Sequence, residues 1–253
     1  MLFRSMIITS LKDKISLCYA TVFPLLLLFG IDAFISKPDY EPLLLTGVIT
    51  LSVVFWSVQG IAFQVFSQRN KGLYKQLKIT PYQTGKFVLI MVVARTLIGV
   101  IINSFILLLG IVMYDIDASL LGVLLSILTI TLSTFCFTFL GFFIANFAKN
   151  EGQINMYSNL IYLPMIFGSE AFYSLENAPS WLSFIGKILP FHHTINMLRC
   201  SLDISDAGMF LNLVVIISFM FGFLLLAIFT FSIDNGLKQS SFYRGKKKQQ
   251  LTS

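Results

Sequence analysis

Long stretches free of Asp, Glu, Lys and Arg alternate along this chain with short charged intervals. They run from Ile15 to Ile31, Pro42 to Gln68, Phe87 to Tyr114 (interrupted only by Arg95), Ala118 to Ala148, Gly152 to Ser169 and Ala207 to Ile233. A helix needs about 20 apolar residues to cross a hydrocarbon core. Within each run apolarity is continuous, whereas barrel strands alternate polar and apolar residues over about 10 positions. The pattern predicts an all-α integral membrane fold with six transmembrane helices, over about 15–35, 43–66, 87–113, 120–147, 153–169 and 208–232. The chain, 1–253, reads as a single transmembrane domain.

Residues 1–14 precede the first run. Leu2, Phe3, Met6, Ile7 and Leu11 have approximate helical spacing beside Arg4, Lys12 and Lys14, which predicts a helix lying at the membrane surface. No small-x-small site follows the first run, so it does not read as a cleaved signal peptide. Cys18 precedes its apolar run instead of ending it, unlike a lipoprotein cysteine.

Composition closes off several function classes. Hydrophobic residues make up 56% and charged residues 12% of the 253 positions, with 26 Phe. A soluble domain carries about 25% charged residues. The mean hydropathy is +0.82. So apolar a chain is neither a soluble enzyme nor a disordered one. The net charge of +6 is unevenly distributed and does not point to nucleic acid. Cys18, Cys136 and Cys200 have no metal-ligand spacing and suggest no disulfide framework.

The uneven charge predicts an orientation. Arg4, Lys12, Lys14, then Arg69, Lys71, Lys75, Lys78 and Lys86, then Lys149, then Lys238, Arg244, Lys246, Lys247 and Lys248 fall on one side of the predicted crossings. The other side has only Lys37, Lys187 and Arg199, and collects Asp32, Asp39, Glu41, Asp115, Asp117, Glu170, Glu176, Asp203 and Asp206. Lys and Arg stay in the cytoplasm. The expectation is a multi-pass plasma-membrane protein with both termini, including the basic tail 234–253, inside.

Two intervals are too long for turns. In Ser67 to Lys86, Leu73, Tyr74 and Leu77 sit at helical spacing among Lys71, Lys75 and Lys78, and Thr80-Pro81 stops or restarts the chain. This short helix, about 69–81, is either a solvated positive-inside loop or a docking helix for a cytoplasmic partner. The outer interval, 170–206, is apolar for a loop, with Pro179, Trp181, Leu182, Phe184, Ile188, Leu189, Pro190 and Phe191. It is expected to lie in the interface or re-enter the outer half of the bilayer, as a cap over the bundle or as a substrate gate. Tyr173 and Trp181 suit the headgroup level.

Catalytic signatures are missing. Gly85-Lys86 and Gly186-Lys187 lack the earlier glycine of a P-loop. His192 and His193 are adjacent and so point to different sides of a helix, unlike an i, i+4 metal pair. No Gly-x-Ser-x-Gly elbow occurs, and no Asp/Glu pair lies inside a run. Arg95, eight residues into the third run, is the one charge within a span; it has a structural pairing or a transport role. Ser52, Trp56, Gln59 and Phe63 follow i, i+4, i+7, i+11 spacing, and Asn155, Asn159 and Tyr162 follow i, i+4, i+7. These stripes are either interhelical hydrogen-bonding faces or a substrate-path lining.

The order of parts is itself informative. A surface helix, two spans, a basic cytoplasmic helix ending in Thr-Pro, three spans, an apolar outer segment and a last span resemble the membrane subunit of ABC transporters of the type 2 exporter class. After the second span that family has an acidic and Arg-rich stretch, then Gly-Thr-Leu-Glu, Leu and Thr-Pro. Arg69, Gly72, Leu73, Leu77, Thr80 and Pro81 match, while Gln68, Tyr74 and Lys75 depart from the acidic pattern. In the outer segment Phe172, Tyr173, Pro179, Trp181, Leu182, Pro190, His193, Leu198 and Arg199 fall in the family's order.

The resemblance implies a permease that pairs with a second copy or a homologue. Its coupling helix, with Arg69, Lys71, Gly72, Leu73, Leu77, Thr80 and Pro81, would dock on a separate cytoplasmic ABC ATPase that binds ATP and Mg; this chain would hold no cofactor or metal. Ser52, Trp56, Gln59, Asn155, Asn159 and Tyr162 would line the path of a hydrophobic or amphipathic drug, peptide or lipid, with Tyr173, Trp181, Pro190 and His193 at the outer gate or cap. Rival readings are a subunit of a peptide-antibiotic immunity complex, a non-transporting scaffold or sensor, and, weakest, a membrane-embedded enzyme.

Overall fold

The computed structural model describes residues 2–35, 40–72, 84–172, 179–205 and 208–230. Among these the elements are helices: α1 (Leu2–Leu11), α2 (Lys14–Phe34), α3 (Glu41–Asn70), α4 (Thr84–Met113), α5 (Leu120–Phe147), α6 (Glu151–Phe167), α7 (Ser180–Ile188), α8 (Pro190–Ser201) and α9 (Met209–Thr230). Five of them, α2, α3, α4, α5 and α9, are long and apolar enough to cross a membrane.

Local chemistry sets the ends of these helices. Asp13 caps α2 by accepting from Ser16 N at 3.2 Å, Ser119 caps α5 through Gly122 N at 3.0 Å, and Asn150 caps α6 through Gln153 N at 2.8 Å. Pro42 and Pro190 lie in the first turns of α3 and α8, where a missing N–H costs nothing. The chain leaves α3 through Gly72 at φ +73°, a left-handed conformation that favours glycine.

α3 is the axle. Eleven of its first fourteen residues, Glu41–Val54, are buried. At mid-helix, residues Phe55–Gln59 form a π turn. Close approach to α5 depends on Gly141, where a Cβ would run into the Val58 carbonyl oxygen and lie 2.8 Å from Val58 Cα. Small residues let membrane helices approach to this degree. α9 lies outside, against α5 and α8, and Asn146 of α5 donates to Ala227 O at 3.1 Å and Thr230 Oγ1 at 2.9 Å at its end.

The expected fifth crossing differs from the other five. α6 has 17 residues and rises about 25 Å, less than the roughly 30 Å of a hydrocarbon core. It stops where Gly168 packs against α7: a Cβ on Gly168 would lie 3.1 Å from Gly186 Cα. The chain then continues without a helix along α3. Arg199 Nη2 holds Glu170 O at 2.6 Å, the Ala171 carbonyl fills the space beside Gly47, and Tyr40 donates to Phe172 O at 2.9 Å.

The outer segment is a helical hairpin. α7 carries exposed Trp181, Phe184 and Ile188. α8 is inserted among α3, α5 and α9, with Phe191, Ile195 and Leu198 buried. Thr194 meets Ser133 at 3.0 Å, and Ser133 lies about 20 Å along α5, near its middle. The other end of α8, at Ser201, sits against Gly122 at the start of α5. The hairpin therefore reaches from one end of the bundle to mid-depth and back.

Candidate functional site

The two ends of the bundle differ in charge. At one end α1 lies across the ends of α3 and α4, with Gln68 Nε2 against Met6 Sδ at 3.6 Å and Ser10 donating to Gln64 Oε1 at 3.3 Å. Exposed Arg4, Lys12, Lys14, Lys71, Lys86 and Lys149 gather there. At the other end, burial raises the Tyr114 phenol well above its ordinary range, helped by the neighbouring carboxylates Asp32 and Glu41.

Arg69 belongs to the last turn of α3 and not to a separate helix. Its guanidinium donates to Ala145 O at 3.1 Å and to Ala148 O, and lies 5.3 Å over the Phe66 ring. It thus caps the carbonyl end of α5, where a cation is favoured by the helix dipole. Lys71 and Gly72 form the turn that follows. Leu73, Leu77, Thr80 and Pro81 lie outside the described residues. The predicted coupling stretch is therefore rooted between the end of α3 and the start of α4, beside the end of α5.

The expected stripe on α3 does not keep to one face. Ser52 is buried and donates to Ala20 O at 2.7 Å; Trp56 is fully buried and donates through Nε1 to Arg95 O at 3.0 Å. Gln59 instead reaches Asn155 Oδ1 at 3.0 Å on an exposed surface. The π turn is the reason: it winds the helix more loosely than the 3.6-residue repeat on which the spacing argument rests. On α6, Asn155 and Asn159 are exposed, and Tyr162 is buried, donating to Asn159 Oδ1. Tyr162 packs edge-on against Phe55 at 5.2 Å, and Phe55 against Phe23 at 5.7 Å. Gln59, Asn155 and Asn159 therefore form an amide patch beside an aromatic ladder, whereas Ser52 and Trp56 serve interhelical packing.

At the opposite end from the basic cluster, Tyr173 lies outside the described residues. Trp181 is exposed, Pro190 begins α8, and His193 is buried. The two ring nitrogens of His193 lie 2.8 Å from Asn212 Oδ1 and 2.8 Å from Lys187 O, so the ring joins α8 to α9 and α7. Among the described residues no group of three or more His, Cys, Asp or Glu is placed to hold a metal ion.

Arg95 sits at the centre of the basic end. It is fully buried. Its Nε and Nη2 donate to Trp56 O at 3.3 and 3.2 Å, and Nη1 donates to Gln64 Oε1 at 3.0 Å. Nη2 is 3.5 Å from Asp13 Oδ2, and the guanidinium lies 4.3 Å over the Trp56 ring. A pairing of Arg95 is expected from the sequence, but its partners Asp13 and Gln64 are not. The signal is present: Asp13 is the sole acid before Asp32, and Arg95 is the sole charge in its run.

The family model described as "ABC-2 type transporter" matches residues 1–202. No curated protein matches the chain.

Proposed function

The chain belongs to the ABC-2 type transporter family, and on that footing we propose that it is the membrane permease of an ATP-driven exporter, moving a hydrophobic or amphipathic substrate out of the cell. A separate ATPase binds ATP and Mg and works the permease from the cytoplasm. The five long helices and α6 together make six crossings, which return both termini to the same side. The basic end is the cytoplasmic one, since Lys and Arg are retained there.

The observation that carries this reading is the convergence at that end. The stretch 73–83 is bracketed by α3 and α4, and Arg69 ties its root to the end of α5. A push on the stretch is thereby delivered to three long helices at once. The amide patch of Gln59, Asn155 and Asn159 is the part of the predicted path that faces outward from this chain. It suits a cavity shared with a second permease copy, where amphipathic cargo finds both hydrogen-bonding and aromatic groups. The outer hairpin, with Trp181 and His193, closes the far end.

Co-purification tests the assignment. A cytoplasmic ATPase is expected to stay bound to the permease in detergent, and Leu77→Asp or Gly72→Pro to release it. Retention of the ATPase by both variants would remove the docking role. ATP hydrolysis by the complex is expected to respond to an amphipathic cationic peptide or a hydrophobic dye. Hydrolysis indifferent to every such probe would favour a scaffold.

A further inference from the structure

We infer that Arg95 is a positioning residue. It fastens the surface helix α1 and its corner with α2 to α3 and α4, so that α1, α3 and α4 are displaced as one body during transport. The inference rests on the permease reading above, because the displacement in question is the one an ATPase imposes on the stretch between α3 and α4.

The covalent chain does not provide this connection. From α1 it runs the length of α2 and back along α3 before it reaches the docking stretch. Coupling of α1 to the ends of α3 and α4 that flank the stretch must therefore pass through side chains, and Arg95 gathers several of them. One guanidinium on α4 holds Trp56 O and Gln64 Oε1 of α3 and faces Asp13 at the corner; the same Gln64 oxygen accepts from Ser10 of α1.

Two costly features make room for it. The π turn spans Trp56, whose carbonyl the guanidinium takes. Gly60, on the next turn, lacks the Cβ that would overlap Arg95 Nη2. An apolar side chain would fill such a space at lower desolvation cost. What an apolar residue cannot supply is a rigid planar fork, carried on α4, with donors aimed at two points of α3 and at the corner between α1 and α2. Fixed relative placement of α1, α3 and α4 is what the arrangement secures.

Spin labels at Leu11 and Lys71, both exposed, in a cysteine-free background, read that placement directly. In the permease alone, in liposomes, a single narrow distance is expected, and Arg95→Lys and Asp13→Asn should each broaden it about twofold. Unchanged widths in both variants overturn the inference. In the complex with its ATPase, the original protein should hold this distance within about 2 Å between the nucleotide-free and vanadate-trapped states, whereas Arg95→Lys should let it shift by about 5 Å. A shift of that size without the substitution also overturns it. So does an effect confined to thermal stability, with both distance readouts unchanged, which would make Arg95 a packing residue. The liposome arm needs no ATPase. Failure to capture one would therefore count against the permease reading, while the distance widths in liposomes would still decide the role of Arg95.

Discussion

α3 and α9 are both predicted from the same kind of apolar run, yet the protein uses them in opposite ways. α9 is the more hydropathic of the two, and only 11% of its most apolar window is buried within the chain; for α3 the share is 89%. In water this order would be reversed, since the most apolar element would be the most hidden. In a bilayer the tails solvate Leu and Phe as well as protein does, so apolarity gives helices no reason to associate. Association comes from close packing and from polar groups that need partners. α3 buries Thr46, Thr50, Ser52, Ser57, Gln64 and Gln68, whereas α9 buries, besides Ile216 and Ala227, the polar Asn212 near its start and presents residues such as Phe210, Phe221 and Phe229 outward. Small and polar residues mark the inner helix, and unbroken hydrophobicity marks the outer one.

Substitutions on and around the two helices test this contrast. The largest effect is expected from Gly141→Leu, which forces α5 away from the backbone of α3 at Val58; stability in thermal unfolding should fall by about 3 kcal/mol or more. The matching change Gly222→Leu on α9 meets nothing within 4 Å and should stay within about 0.5 kcal/mol. Equal losses at the two sites would dissolve the distinction.

Next comes Phe221→Asp, near the middle of α9. If lipid solvates that face, the inserted fraction should drop by an amount equivalent to about 3 kcal/mol. A neutral outcome would mean that water or another protein covers it. Arg95→Met removes the bonds to Trp56 and Gln64 and leaves half-exposed Asp13 behind; a loss of about 2 kcal/mol is expected in the same unfolding assay. The smallest effect belongs to Phe229→Ala, at an exposed site on α9, where the melting transition should move by no more than about 0.5 kcal/mol equivalent.

Much of this architecture is legible in the sequence. The charge-free runs match α2, α3, α4, α5 and α9, because the length of an uninterrupted apolar helix is dictated by the bilayer and not by tertiary detail. The apolarity of the outer segment points to the interface or to re-entry; it lies mainly on α7, which leaves Trp181, Phe184 and Ile188 exposed, while the more polar α8 reaches mid-depth. What composition does not disclose is where two backbones collide. The run Gly152 to Ser169 corresponds to α6, Glu151–Phe167, which ends where Gly168 packs against Gly186.

The stripe from Ser52 to Gln59 fails for a related reason. Residues 55–59 contain neither proline nor glycine, and the π turn that splits the stripe goes with the seat of an arginine thirty-nine residues away from Trp56. The partner of that arginine is within reach of charge alone, because Asp13 and Arg95 are each isolated in otherwise acid-free or charge-free surroundings. The role of Arg69 is harder to see. Its position after a span suggests a partner-facing cation, whereas its donors go to the carbonyls at the end of α5.

Everything proposed for this chain requires that it cross the membrane repeatedly, with its basic end in the cytoplasm and the docking stretch held there. Cysteine labelling with a membrane-impermeant maleimide, in a cysteine-free background, tests this most directly through Lys75→Cys and Asp117→Cys. Position 117 should react in intact cells and position 75 only after permeabilisation. Reaction of position 75 from outside intact cells would contradict it.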